Sequence, residues 1–290
     1  MKWEGERESG NVEDRRAGGG LGGFGLGGRS VGIGTVVIAL VGGWIFGINP
    51  LTILGLLSGG APTSQVANAP AQAPPANDMQ ARFVATVLAS TEDVWTPIFK
   101  AARTDYPAPR LVLFRGAVGT ACGTGQSAMG PFYCPGDQKV YIDLDFFDTL
   151  KQRLGAPGDF AQAYVVAHEV GHHVQNVLGT SEKVEAARRS ASPTQANAMS
   201  VKLELQADCF AGLWGHHSQQ AKQWLERGDI EEAMNAASKI GDDSLQQRSR
   251  GTVVPESFTH GSSAERVRWF KRGFDSGRVA DCNTFEAPRR

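Results

Sequence analysis

Residues 159–179 read DFAQAYVVAHEVGHHVQNVLG. The stretch contains no proline, Asp159 suits an N-cap, and Gly179 suits a C-terminal stop, so it is expected to be one helix. On a helix, positions i and i+4 share a face, so His168 and His172 converge on one point. Glu169 lies beside them, where its carboxylate can accept a proton from a water held there. Neutral imidazoles suit Zn2+, one ion per chain, and three protein ligands leave a position open for water or substrate. The competing reading is two histidines satisfied within a helical core.

A third ligand must come from elsewhere. The extended motif HExxHxxGxxH requires glycine and histidine where this chain has Gln175 and Leu178. LELQADCFAG (203–212) offers Glu204 and Asp208 instead, again four residues apart. In that arrangement the Glu binds the metal and the Asp orients a ligand histidine from behind. Solvated helix charges are the alternative, but Leu203, Leu205, Ala207 and Phe210 imply burial. Cys209 is rotated by about 100° from the Glu204/Asp208 face and is not expected to join the site.

The remaining histidines carry less. His173 points off the metal face, and His216 and His217 read as polar residues at a helix end. His260, in ESFTHGSSAERV (256–267), precedes a helix start at Ser262 or Ser263, with Glu265 as a capping signal. As a loop histidine it is a candidate to stabilise the oxyanion formed on a peptide carbonyl. The chain has four cysteines and no CxxC pair. Three pairings are open; the preferred one closes a Gly-rich loop with Cys122–Cys134 and leaves Cys209–Cys282 to staple the C-terminal segment.

The order of segments suggests four parts. Residues 1–30 carry mixed charges and the tract GGGLGGFGLGGR, which has little to bury, so a disordered cytoplasmic tail is expected. Residues 31–57 contain no charged side chain and are long enough for one transmembrane helix. Lys2, Arg7, Arg15, Arg16 and Arg29 precede this run and no cation follows until Arg82, which by the positive-inside rule puts the N-terminus in the cytoplasm and the rest in an extracytoplasmic or periplasmic space. A cleaved signal peptide, cut near ANA at 67–69, is the competing reading. Residues 58–77 read as an Ala/Pro-rich linker, and 78–290 as the folded domain.

Within that domain a helix is expected over 79–104 and a strand at LVLFRG (111–116). A second strand is expected at KVYIDLDFF (139–147), a candidate sheet edge for an extended peptide. Helical patterns follow from Asp159, so the fold class is α+β with a small sheet and a mostly helical C-terminal part. The formal net charge of -1 supplies no basic footprint for nucleic acid. No oligomeric state is implied.

SAMGPFYCPGDQKVYIDLDFF, GDFAQAYVVAHEVGHHVQNVLG, LELQADCFAGLWG and FTHGSSAERVRWFKRGFDSG together resemble the bacterial neutral zinc metallopeptidase family. The resemblance implies a zincin-like domain with His168, His172 and Glu204 on zinc, Glu169 as catalytic base, and a protein or peptide substrate. The ExxAD second motif is similar to that of gluzincins. Two rival readings remain: a membrane-tethered zincin-fold scaffold without turnover, and a zinc amide hydrolase acting on a cell-envelope polymer.

Overall fold

The computed structural model describes residues 1–16, 72–126 and 130–286. It is an α+β fold whose four-stranded sheet has the order β1-β2-β6-β5. These strands are β1 (Val12–Asp14), β2 (Arg110–Phe114), β6 (Lys139–Asp143) and β5 (Phe132–Cys134), the first three parallel and β5 antiparallel to β6. A separate hairpin pairs β3 (Ala117–Thr120) with β4 (Gly123–Gln126).

Helix α1 (Met79–Ala101) precedes β2, and α2 (Leu144–Gln152) follows β6 directly. The strand expected over 139–147 therefore ends at Asp143, whose carboxylate accepts from the Asp145 N–H and starts the helix. β6 is also not a sheet edge: it bonds β2 on one side and β5 on the other, and the edge strands are β1 and β5.

The helical part comprises α3 (Asp159–Val177), α4 (Thr180–Arg188), α5 (Pro193–Lys222), α6 (Asp229–Lys239), α7 (Asp242–Arg250) and α8 (Ser263–Ser276). Gly158, not Asp159, caps α3; Asp159 sits in its first turn. Its carboxylate there complements the helix dipole and receives the Met1 amine at 2.8 Å. Gly179 has φ +71°, so the chain turns sharply there, as a left-handed glycine allows. Ser192 with Gln195 and Ser262 with Glu265 form capping boxes that start α5 and α8.

Most of α3 is buried, because α5, α6, α1 and the sheet surround it. Phe160 stacks on Trp214 at 5.7 Å, and Tyr164 meets Phe270 edge-on at 5.5 Å, joining α3 to α5 and α8. Helices α5 and α8 meet backbone to backbone. A Cβ on Gly212 would lie 2.0 Å from the Phe270 carbonyl oxygen, and one on Gly273 would lie 1.9 Å from that of Cys209.

The first sixteen residues correct the expectation of a disordered tail. β1 adds to the sheet in parallel with β2. The Met1 side chain is buried in the core, and Trp3 packs edge-on against Phe83 at 5.3 Å. Arg7 bonds Glu92 and Asp93, and Lys222 meets Glu6 at 2.5 Å. The segment looked solvated because several of its charges are matched by residues distant in sequence. Among the described residues no helix is long and apolar enough to cross a membrane. The expected span 31–57 lies outside them, as do residues 17–30 and all but 72–77 of the expected linker.

Gly273→Ala is expected to force α8 away from α5 and to destabilise the fold by about 1–3 kcal/mol or more, read as a lowered denaturation midpoint. An unchanged midpoint would mean that the backbone contact is not a constraint.

Candidate metal centre

The helix α3 presents His168 and His172 one turn apart, and α5 brings Glu204 across from them. His168 Nε2 lies 3.2 Å from Glu204 Oε2, and His172 Nε2 lies 3.4 Å from Glu204 Oε1. Tetrahedral zinc with ligands at roughly 2.0–2.2 Å requires donor atoms about 3.3–3.6 Å apart; each imidazole lies near that spacing from one Glu204 oxygen, and one ligand atom from each of the three residues lies within 4.8 Å of the others. Gly171 makes this approach possible. A Cβ there would lie 3.0 Å from the Ala207 carbonyl oxygen and 3.1 Å from Ala207 Cα, so the variable positions of HEVGH include one that must stay small.

Each imidazole is held from behind by a different acceptor. His168 Nδ1 donates to Asp208 Oδ1 at 2.9 Å, and His172 Nδ1 donates to Gln175 Oε1 at 2.9 Å. The Gln175 amide orientation follows from its other bond, because its Nε2 donates to the Leu203 carbonyl at 2.7 Å and so must be the nitrogen. With both Nδ1 atoms protonated, both Nε2 lone pairs face the metal position. Gln175 also donates to Gln206 at 3.2 Å, and Gln206 donates to the Cys282 carbonyl at 3.0 Å. The disulfides Cys122–Cys134 and Cys209–Cys282 are both formed, and the second ties this relay to α5 one residue past Asp208.

Asp208 is fully buried. Arg266 of α8 grips it with Nε on Oδ2 and Nη2 on Oδ1, both at 2.9 Å, and the Tyr164 hydroxyl donates to Oδ1 at 2.5 Å. Burial alone would raise the Asp208 pKa; the Arg266 charge and the His168 bond overcome it and keep the carboxylate ionised. Burial pulls His168 down, but bonds and charge from Asp208 and Glu204 lift its metal-free pKa to about 10. Protons therefore compete with a metal for this site. Glu169 is pushed up, first by burial, then drawn back by the two histidines.

One cavity of about 1150 Å3 is lined by His168, Glu169, His172 and Glu204, and also by Tyr133 of β5, Arg266 and His260. His260 is half exposed, and its Nδ1 lies 3.1 Å from Asp242 Oδ1. Asp242 Oδ2 also accepts the backbone N–H groups of Thr259 and His260 at 2.6 Å each, fixing the loop. The Asp242 bond and the Glu204 charge raise the His260 pKa against burial.

The other histidines do not join the centre. His173 bonds the Tyr133 hydroxyl at 3.1 Å and donates to the Pro107 carbonyl at 2.6 Å, tying α3 to the sheet side. His216 and His217 donate to the carbonyls of Phe274 and Gly277, at the end of α8. Tyr164, Gln175, Gln206, Asp242 and Arg266 are the residues that sequence reasoning missed. Arg266 left one signal, since it shares a helical face with Phe270 and Gly273. A second group of carboxylates, Asp159, Asp229 and Glu232, lies within ligand distance of one another, and Asp159 and Asp229 already meet the Met1 amine.

Two histidines and a carboxylate facing one point, with a free carboxylate beside them, define a zinc-dependent hydrolase centre. The chain belongs to the family described as "Putative neutral zinc metallopeptidase", whose profile matches residues 1–285. It is 52% identical over 290 residues to "Uncharacterized protein YpfJ" of Escherichia coli K12, covering 98% of this chain and 99% of that one. It is also 42% identical over 219 residues to "Uncharacterized protein Rv2575" of Mycobacterium tuberculosis, covering 72% and 71% of the two chains. No solved structure matches the chain.

Gln175→Leu would leave His172 Nδ1 without its acceptor, and zinc affinity measured against a competing chelator is expected to fall about 10–100-fold. An unchanged affinity would remove Gln175 from the centre. Burial lowers the His173 pKa from 6.5 to about 4. As pH falls the unfolded chain takes up this proton first, so stability is lost between pH 6.5 and about 4, by at most about 3 kcal/mol. Denaturation midpoints of the native chain and His173→Gln, compared across that window, should differ in slope.

Proposed function

We propose that the protein is a zinc-dependent endopeptidase of zincin type, with His168, His172 and Glu204 as ligands and Glu169 as general base. The observation that carries this reading is the convergence of the two Nε2 atoms on Glu204, with Glu169 unpaired by any ligand role beside them. Zinc bound there would act as a Lewis acid and lower the pKa of a water at the open position. Glu169, whose pKa burial raises, would as the carboxylate accept a proton from a water there and return it to the leaving amine. Asp208 and Gln175 keep the imidazoles in the tautomer that binds metal.

His260 is suited to stabilise the charge developing on the substrate carbonyl oxygen. Its Asp242 partner favours the protonated, donating form, and both His260 and the ligand residues line one cavity. An extended substrate would lie along β5 in place of the β6 edge expected from sequence, because of the two edge strands β5 is the one whose Tyr133 lines the cavity. The two disulfides support an oxidising, extracytoplasmic compartment for the folded body.

The test is zinc content and cleavage of an unfolded protein such as casein, measured on the full chain and on Glu169→Gln, with isolated cell-envelope polymer as a parallel substrate. Equal zinc in both, with casein cleavage in the parent reduced at least about 100-fold in the variant, is the expected result. Cleavage of the polymer alone would assign a different amide substrate, and zinc without any turnover would favour a scaffold. His260→Ala should lower kcat by about 100-fold or more while leaving zinc content unchanged.

A further inference from the structure

Helix α7 reads DDSLQQRSR, and Leu245 is its one apolar residue. The polar residues of this helix fasten it to its neighbours. Asp242 fixes the His260 loop, Asp243 accepts from the backbone and hydroxyl of Ser263, and Gln246 bonds Ser257 and the Val254 N–H. The Leu245 side chain makes none of these bonds. It is 36% exposed and lines the cavity that contains His168 and His172. A single exposed leucine is ordinary on a protein surface. Its neighbours make this one informative.

Leu154, Val165 and Ile240 line the same cavity from other elements. Leu154 follows α2, and its carbonyl accepts from Arg248 of α7 at 3.4 Å. Ile240 ends α6, and its carbonyl accepts from Arg266 Nη1 at 3.4 Å. Nη2 of the same guanidinium lies 3.4 Å from His168 Nδ1. Val165 lies on α3 one turn before His168 and Glu169. The apolar wall therefore starts beside the imidazoles, at Val165 and Ile240, and runs outward to Leu245 and Leu154.

The wall carries no free charge of its own. The Arg266 guanidinium is committed to Asp208, Tyr164 and the Ile240 carbonyl. Arg153, the residue before Leu154, also lines the cavity, but it is exposed to water, where a charge contributes little. An acidic or basic side chain laid against the four apolar residues would lose hydration without gaining a partner. An apolar one would remove its own surface and that of the wall from water.

We propose that this wall is a side-chain subsite of the centre. It takes a large apolar side chain, of the leucine or phenylalanine kind, on a residue next to the bond that is cut, and Leu245 sets that preference. The inference rests on the peptidase reading and names its substrate class. One methylene in an enclosed apolar pocket is worth about 10–200-fold in discrimination, and a wall open on one side belongs at the low end of that range.

The zinc-loaded full chain is titrated by calorimetry with N-acetylated amino-acid hydroxamates bearing the leucine, alanine, aspartate or lysine side chain. The leucine compound is expected to bind at least about tenfold more tightly than the alanine one, and ahead of both charged ones. Leu245→Glu, at an exposed position of a polar helix, should bring the leucine-to-alanine ratio close to one and move the preference toward lysine. Equal affinities across the series, a preference for aspartate, or a leucine preference that survives Leu245→Glu would overturn the proposal. Product termini from casein, identified by mass spectrometry, should place leucine, isoleucine, phenylalanine or methionine on one side of most cuts; cuts without that bias overturn it as well. Side-chain-dependent binding with casein left uncut would overturn the peptidase reading and leave the subsite standing. Absence of binding by every hydroxamate would overturn both.

Discussion

The buried ion pair between Asp208 and Arg266 is the constraint on which the rest of the centre depends. Both side chains are almost wholly withdrawn from water, and bringing each inside costs several kcal/mol before any attraction is counted. That cost is offset only because the geometry is complete. Arg266 bonds both carboxylate oxygens, and Tyr164 and His168 donate to the same carboxylate. The pair stands where α3, α5 and α8 meet, so the helices must come together in one register for either ion to be satisfied. Gly212 and Gly273 permit the close approach that places Arg266 there. Metal-site geometry and helix packing are thus one problem with one solution.

His168 and His172 are held by unlike partners. His168 leans on an anion that is itself neutralised by arginine, whereas His172 leans on a neutral amide. An anionic acceptor raises imidazole basicity more than an amide does, so the two imidazoles differ in basicity although they come from one motif. The amide also links the centre to the C-terminal segment through Gln206 and the Cys282 carbonyl. Thr284 adds a bond to the Lys202 carbonyl at 2.6 Å, on the turn just before Glu204. The Cys209–Cys282 disulfide spans 73 residues, and a cross-link of that size contributes about 4 kcal/mol by restricting the unfolded chain. The tail is therefore a brace for the turn of α5 that carries Glu204.

The N-terminal segment shows how composition misleads when partners are remote. Met1–Arg16 is polar, short and followed by glycine, which are the marks of a solvated tail. Its charges nevertheless find Glu92, Asp93, Asp78, Lys139 and Lys222, all at least sixty residues away. No local pattern encodes such pairings. Their effect is to put a strand on the sheet and to fasten the start of the chain to the helices that carry the site.

What the sequence determined by itself were the features set by local periodicity. Four-residue spacing placed His168 with His172 and Glu204 with Asp208 on shared helical faces, and the capping signal of Ser262 and Glu265 marked the start of α8. The helix start at Asp143 and the interior place of β6 escaped it, since alternation does not tell an edge strand from a central one and a single carboxylate can end a strand. Tertiary structure alone decided which groups face one another across elements. It chose Arg266 for Asp208, Gln175 for His172, Asp242 for His260, and the sheet for β1. Each of these is a pairing of buried or bonded polar groups between distant segments, and its energy appears only when folding removes the water that would otherwise satisfy them.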